Sequence, residues 1–224
     1  MPEHLDYTVR RSTRARRVRV RVDADATVEV VLPARAHQRE AALAVRELRP
    51  WIDRRVEEAR AARARLQSPP GTLPLLGAQL RLQHDPGRRR VHRQGDVLRV
   101  PADPATRQAA IERWYRAQAR AEIAPRLDNA TATLGRGYTK LTIRNQRTRW
   151  GSCSATGAMS FNWRLLLAPE PVLDYVIWHE ACHLVVMDHS RRFWTLVERH
   201  VPGYREPRRW LRANGTALVL PTVA

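Results

Sequence analysis

The chain has 224 residues, a formal net charge of +18 and an apolar content of 43%, which is ordinary for a globular protein of one domain or one and a half. No stretch approaches the roughly 20 apolar residues that a membrane-spanning helix needs. Residues 1–11 contain no apolar run, so we expect no secretory signal, no membrane association and a cytoplasmic location.

The cysteines and the basic residues narrow the class of protein further. Cys153 and Cys182 are the only cysteines, too few for a disulfide framework, which agrees with a cytoplasmic location. Lys140 is the only lysine, so nearly all of the positive charge is carried by arginine. Two interpretations of this charge stay open. It is either a solvated surface or a site for an anionic partner such as nucleic acid or a nucleotide.

The N-terminal part of the chain is predicted to contain strands followed by a helix. Residues 7–32 favour two or three strands with a turn at 23–26, and arginines alternate with valines over residues 14–22. Residues 34–66 favour a helix that breaks or kinks near Pro50. The Ser-Pro-Pro-Gly segment at 68–71 is the strongest linker signal. We therefore divide the chain into residues 1–70, packed as part of the same unit, and a domain over 71–224.

The second part mixes strands and helices, which predicts an α+β fold. Residues 75–83 and 97–100 favour strands, with a turn at 85–87 and a basic cluster at 88–93. Residues 104–134 favour a long helix in which Pro125 predicts a kink. Residues 138–147 and 159–166 favour two further strands, joined by a turn at 154–158. These two strands predict a β-hairpin directly before the next helix.

That next helix is predicted over residues 169–186. Pro169 and Pro171 are tolerated in a first turn, and Glu170 and Asp174 add the negative charge that a helix N-terminus favours. A second helix is predicted over residues 191–200, after turn and N-cap chemistry at 188–190. Trp163 and Trp178, on either side of the first helix's start, are expected in the core.

The helix over 169–186 contains the motif His-Glu-Ala-Cys-His at residues 179–183. His179 and His183 stand at positions i and i+4, one turn apart on the same face, where they can bind one zinc ion. Glu180 follows the first ligand and can reach a metal-bound water. His189 lies at the junction of the two helices and can complete the site. Three protein ligands leave the fourth position open, the pattern of a catalytic zinc, one per chain.

Two related interpretations of the motif are disfavoured. Metzincins share this histidine spacing but have a glycine where this chain has Val186, and they need a methionine after the third histidine. None of the three methionines follows His189. Cys153 is disfavoured as a fourth ligand because it would close the open position. Zinc is the default for three histidines, although manganese, cobalt or nickel can occupy the same ligands.

Several stretches carry a resemblance that spans most of the chain and is densest over residues 139–204. They are Arg149-Trp150-Gly151-Ser152-Cys153; Asn162 with Leu165-Leu166; residues 174–180; His189-Ser190 with Phe193-Trp194; residues 202–204; and, near the N-terminus, residues 7–12 and Trp51-Ile52. On these residues the chain resembles the YgjP-like (SprT/WLM-type) metallopeptidase family. Cys182 is a departure, since the family often has a small or aliphatic residue there.

The resemblance implies a zincin-like metal-dependent hydrolase over residues 71–224, with the motif helix preceded by a β-hairpin. It implies that His179, His183 and His189 bind the metal and that Glu180 is catalytic. The implied reaction is cleavage of peptide bonds by a zinc-bound water that Glu180 activates. The partner is then a peptide or protein substrate, whose sequence the family does not define.

The residues around the motif supply further candidates. Arg149, Tyr175 and Arg192 are candidate oxyanion donors or substrate contacts. Beside the predicted hairpin, the edge around Trp150, Gly151 and Ser152 is a candidate border of the substrate cleft, where an extended peptide can pair. The acidic residues near the motif are candidates to orient the histidines, although each is more often a solvated helix charge. They are Asp174, Asp188 and Glu198.

Three alternatives to a zinc peptidase stay open. A metal-dependent hydrolase of phosphoanhydride bonds in nucleotides would suit the arginine excess. A DNA-associated protease would bind DNA with an affinity that falls steeply with salt. A non-catalytic, zinc-stabilised scaffold would contain zinc and lose stability on chelation without any turnover.

Overall fold

The computed structural model of the chain describes residues 5–23, 25–146 and 149–223. Its internal contacts divide the chain into two compact units. The first consists of residues 1–67 with 212–218, and the second of residues 68–211 with 219–224. The boundary predicted between residues 70 and 71 lies close to this division, while the assignment of both parts to one unit stays a prediction. Within the described ranges no helix is both long and apolar enough to cross a membrane.

The first unit contains a three-stranded sheet and two helices. Its elements are β1 (Thr8–Ser12), β2 (Arg19–Val22), β3 (Val28–Pro33), α1 (Arg39–Glu47) and α2 (Arg49–Arg65). Strand β3 is central, parallel to β1 and antiparallel to β2. Val28, Val30 and Leu32 of β3 are buried in a cluster with Ile52. The alternation predicted over residues 14–22 places Val20 and Val22 of β2, partly buried, against the same cluster.

Two details of the first unit differ from the sequence prediction. The basic strand predicted over residues 14–22 is only four residues long, Arg19–Val22. The turn predicted at 23–26 includes Ala24, which lies outside the described residues. The predicted helix break is present, because α1 ends at Glu47 and Pro50 lies in the first turn of α2, where its missing N–H costs no hydrogen bond.

The second unit has two small sheets and most of the helices. Its elements are β4 (Thr72–Leu75), β5 (Ala78–Asp85), β6 (His92–Gln94), β7 (Val97–Pro101), α3 (Pro104–Thr133), β8 (Lys140–Arg144), β9 (Gly151–Cys153), β10 (Ala158–Asn162), a 3-10 helix (Trp163–Leu167), α4 (Glu170–Cys182), α5 (Arg191–His200) and most of α6 (Arg205–Asn214), whose residues from 212 onward belong to the first unit. Across both units the described residues form three small sheets and six α-helices, a mixed α and β architecture.

The strand predicted over residues 75–83 is interrupted. A turn at Leu76 and Gly77, with φ angles of 50° and 88°, separates β4 from β5, and the two pair antiparallel. The backbone N–H of Leu76 donates to the carbonyl of Leu166 over 2.8 Å. The positive φ angles, which the sequence signals only through Gly77, therefore make a tight turn where one strand was predicted.

Helix α3 is the long central helix of the second unit and continues past Pro125. Asp103 caps it, its carboxylate accepting from the Ala105 N–H over 3.0 Å. On the side toward α4, the Arg126 guanidinium forms ion pairs with Glu170 and, at 3.2 Å, with Asp174. These pairs join α3 to the first turn of the helix that carries the histidine motif.

The strands before that helix are arranged differently from the prediction. The hairpin was predicted between residues 138–147 and 159–166, but β8 runs parallel to β10. The antiparallel neighbour of β10 is β9, a strand that the sequence analysis did not identify. The predicted second strand ends at Asn162, whose side-chain oxygen accepts from the Arg164 N–H and starts the 3-10 helix. Arg147, at the end of the other predicted strand, lies outside the described residues.

Helix α4 ends at Cys182, four residues before the predicted end. The N–H groups of Leu184 and Val185 donate to carbonyls three residues back, which tightens the chain into turns.

Trp163 is buried as expected, whereas Trp178 is only half-buried and stacks on His200. The sequence analysis did not identify α6.

Candidate metal centre

The end of α4 and the loop after it bring the three predicted histidines together. Nitrogen atoms of His179, His183 and His189 all lie within 4.8 Å of one another. The Nε2 atoms of His179 and His189 are 3.1 Å apart. The i, i+4 spacing accounts for the first pair, and the turns at 184–190 return the chain so that His189 approaches from outside the helix.

This arrangement fits a tetrahedral metal ion. Two nitrogens that each lie about 2.0–2.1 Å from one zinc are separated by roughly 3.4 Å, close to the 3.1 Å between the two Nε2 atoms. The His183 Nδ1 lies 3.1 Å from the Val186 carbonyl oxygen. A ring that donates its Nδ1–H to this carbonyl keeps the Nε2 lone pair for a metal.

The surroundings of His179 and His183 lower the pKa of both rings. Burial lowers the pKa of His179 to about 3, helped by His183, His189 and the positive charge of Arg208. Burial also lowers the pKa of His183, against the opposing effect of its hydrogen bond with Val186. Neutral imidazole is the form that binds a metal, so at neutral pH these two rings need not lose a proton first.

Aromatic residues of α5 hold the histidine rings in place. Phe193 is fully buried and stacks on His183 with a centroid separation of 4.4 Å. Trp194 lies 5.6 Å from the rings of both His179 and His189. The resemblance pointed to Phe193 and Trp194 as family residues, and their contacts explain the need for large rings at these positions.

Glu180 lies on the neighbouring face of α4, against β9, and is 7% exposed. A Cβ atom added to Gly151 would lie only 2.5 Å from the Glu180 Cγ and 2.6 Å from its Oε1. Burial raises the pKa of Glu180 to about 7, against the opposing effects of the Arg149 charge and a hydrogen bond from the Cys153 N–H. A carboxyl with this pKa can accept and release a proton near neutral pH.

The three candidate donors lie in different surroundings. Arg149 is exposed, and its charge acts on Glu180. Tyr175 is buried with its ring 5.7 Å from that of His179, and burial raises its pKa to about 12. Arg192 is exposed, and its charge acts on Asp188. The Arg149 charge therefore acts on Glu180 and the Tyr175 ring contacts His179, whereas no described contact joins Arg192 to the site.

The acidic residues near the motif have other partners. Asp174 pairs with Arg126, as described above. Asp188 accepts a hydrogen bond from the Ser190 N–H over 2.9 Å, and Glu198 accepts one from the Gly203 N–H over 3.2 Å. Among the residues that the structure describes, none of the three acids hydrogen-bonds a histidine of the group.

Of the predicted cleft residues, Gly151 and Ser152 lie in β9 and Trp150 directly precedes it; β9 is an edge strand in the order β8-β10-β9. The Trp150 carbonyl accepts from the Asn162 N–H over 2.8 Å, and the Trp150 ring lies under the Arg164 guanidinium. The Ser152 and Ser160 hydroxyls are 2.8 Å apart. These contacts fix the strand against β10, and no other strand of the described residues pairs with its second edge.

Two nearby residues complete the description. Cys153 is half-buried, and burial, then the Glu180 charge, raises the pKa of its thiol to about 11. It does not belong to the three-histidine group.

Arg208 on α6, which the sequence analysis missed, lies over the Trp194 ring at 4.4 Å. The sequence gives no signal for Arg208, because α6 comes after the histidine motif and contains several exposed arginines that look alike in sequence.

A comparison with known protein families identifies a metallopeptidase domain in this chain. The family model described as YgjP-like, metallopeptidase domain, matches residues 16–214. Among solved structures, the chain is similar to the crystal structure of the metallopeptidase zymogen of Pyrococcus abyssi abylysin. The two are 26% identical, the match covers 40% of this chain and 92% of that chain, and the TM-score is 0.37, too low to define a shared fold. The search of curated proteins found no match.

Proposed function

Because the chain belongs to the YgjP-like metallopeptidase domain family, we propose that it is a zinc-dependent peptidase. The observation that supports zinc is the group of three histidines, whose ring nitrogens lie within 4.8 Å of one another. His179, His183 and His189 would hold one zinc ion per chain and leave a fourth position for the reaction. No carboxylate or thiolate of the described residues belongs to this group.

Glu180 is the proposed general base and acid. When bound, zinc lowers the pKa of water and polarises a carbonyl group. The Glu180 carboxylate takes a proton from the attacking water and returns it to the leaving amine. The Cys153 N–H holds this carboxylate, and the missing side chain of Gly151 gives it room. The family membership and this buried position together favour a catalytic role for Glu180 over a structural one.

Arg149 and Tyr175 are the proposed donors to the tetrahedral oxyanion. Tyr175 keeps its hydroxyl proton at neutral pH because its pKa is about 12. Arg149 carries a permanent positive charge whose effect reaches Glu180. Either group can stabilise negative charge that develops on the scissile carbonyl. No contact supports the same role for Arg192.

The unpaired edge of β9 is the proposed binding site for an extended peptide. An edge strand presents unpaired backbone groups that a substrate can meet by strand addition. Glu180 packs against Gly151 in this strand, so a peptide that pairs beside Trp150 and Ser152 passes close to the proposed base. This arrangement favours an unstructured segment of a protein or peptide as the substrate.

The proposal is tested by identifying the products of the zinc-loaded protein. An unfolded protein and a mixture of synthetic peptides are incubated with it, and new termini are detected by mass spectrometry. We expect internal peptide bonds to be cleaved, and nucleotides incubated in parallel to release no phosphate. Phosphate release without proteolysis would replace the peptidase by a nucleotide hydrolase, and bound zinc with neither activity would indicate a scaffold.

A further inference from the structure

A column of stacked aromatic rings stands beside the three histidines. Trp194 stacks on Tyr204 with a centroid separation of 5.1 Å and an interplanar angle of 12°. Tyr204 in turn stacks on Tyr175 at 6.3 Å and 16°. Trp194 also lies 5.6 Å from the rings of His179 and His189. The column therefore joins α4, α5 and the residue directly before α6 beside the proposed zinc site.

Arg208 sits on the outer face of this column. Its guanidinium carbon lies 4.4 Å from the centroid of the Trp194 ring, a separation at which the ring attracts the cation. The residue is exposed, and its positive charge opposes the effect of burial, which raises the pKa of Tyr175. The contact with Trp194 thus holds a positive charge near the reacting groups while its outer side remains open to solvent.

Arg208 contacts an aromatic ring, whereas the arginines compared with it here also pair with carboxylates. Arg205, one turn earlier on α6, lies over Tyr204 but also pairs with Glu198 at 3.5 Å. Arg126 on α3 pairs with several carboxylates. Within the described ranges Arg208 forms no ion pair. A guanidinium that stacks on a ring can still donate hydrogen bonds from the N–H groups in its plane. Two of these N–H groups match the two oxygens of a carboxylate.

We propose that Arg208 binds a carboxylate of the peptide substrate and so makes the enzyme prefer substrates with a negative charge near the cleaved bond. This inference rests on the proposed peptidase function and adds a substrate class to it. The carboxylate belongs either to an acidic side chain or to the C-terminus of the peptide. We do not assign Arg208 to the oxyanion, because the arginine whose charge acts on Glu180 is Arg149. Arg149 and Tyr175 remain the proposed oxyanion donors.

The experiment compares Arg208→Gln with Arg209→Gln. Arg209 is the next residue on α6 and is also exposed. Its replacement removes the same charge from the protein, so this variant controls for the general attraction of a basic surface. The probes are acetylated alanine peptide amides with one glutamate scanned along the chain, the same peptides with glutamine, and alanine peptides with a free or an amidated C-terminus. Circular dichroism and zinc content establish that each variant is folded and loaded.

Two readouts separate this inference from the proposed function. Cleavage gives the ratio of kcat/KM for each charged peptide and its neutral counterpart. Binding is measured by calorimetry in a Glu180→Gln background, which needs no turnover. We expect charged peptides to be favoured in the parent protein and in Arg209→Gln, and the ratio to fall by about ten-fold or more in Arg208→Gln, the size of a lost charge-assisted hydrogen bond.

The pattern of preference identifies the source of the carboxylate. A preference confined to peptides with a free C-terminus assigns Arg208 to the terminal carboxylate, and one that follows the glutamate position assigns it to a side chain. Equal ratios in Arg208→Gln and the parent protein would overturn the inference, whether cleavage is detected or only binding. If charged peptides bind through Arg208 but none is cleaved, the proposed peptidase function fails while the carboxylate site stands.

Discussion

Replacement of Glu180 by glutamine is expected to reduce peptide cleavage by about 10²–10⁴-fold, the usual contribution of a general base, without loss of zinc. Glutamine has nearly the same shape and can still fill the space beside Gly151. It cannot accept a proton from water, so the chemical step slows while substrate binding is largely kept. The measurement is kcat and KM on a peptide that the parent protein cleaves, with zinc determined on the same samples.

Glu170→Gln is the matched control for this substitution. Glu170 lies in the first turn of the same helix, is exposed and pairs with Arg126 on the surface, where ion pairs contribute about 0–1 kcal/mol to stability. Its cleavage rate is expected to match that of the parent protein. Full activity of Glu180→Gln would contradict the assigned role, and loss of zinc in that variant would mean that Glu180 supports the metal ligands.

Replacement of Gly151 by alanine is expected to lower kcat by roughly 10²-fold, the effect of misplacing a catalytic group by about 1 Å. The new methyl group would lie 2.5 Å from Glu180 Cγ, 2.6 Å from Oε1 and 2.8 Å from Cδ. These contacts are too short to persist, so the carboxylate must turn away from its place beside β9. A Cβ at Gly151 has its close contacts with Glu180 and not with a histidine, so the three histidines should retain the metal. We therefore expect kcat to fall while the zinc content stays unchanged.

Gly137→Ala provides the comparison. A Cβ at Gly137 would meet no atom within 4 Å, and the position needs no left-handed backbone. It introduces the same methyl group into the same unit without touching the site, so its activity and melting temperature should stay close to those of the parent protein. If Gly151→Ala were equally active, the close packing of Glu180 on β9 would have no functional consequence.

The grouping of the three histidines was predictable because it depends on residues that are close together in the sequence. Two histidines four residues apart must share a face once the segment is helical, and the Glu180 position follows from the same helix. His189 was found because the turn and N-cap signals placed it at the junction of two helices. The resemblance supplied Phe193 and Trp194 as family residues, but their role as walls around the rings appeared only with the contacts of α5.

The strand arrangement was less predictable because strand pairing is not local. Nothing in residues 138–166 says that β10 should lie between a parallel β8 and a short β9. The burial of Glu180 against Gly151 depends on this pairing, so the role of that glycine could not be derived from its neighbours in sequence. Arg208 was missed for the same reason, since α6 reaches the site through the stacking of Tyr204 and Trp194.

The most direct test of the central claim is the zinc content of the purified protein and of His189→Ala. His92→Ala, which removes an exposed histidine on β6, serves as the control. We predict about one zinc per chain in the parent protein and in the control, and a lost or much weakened metal in His189→Ala, which removes one of three ligands. An equal zinc load in parent and His189→Ala, or no zinc in the folded parent protein after incubation with the metal, would contradict the three-histidine centre.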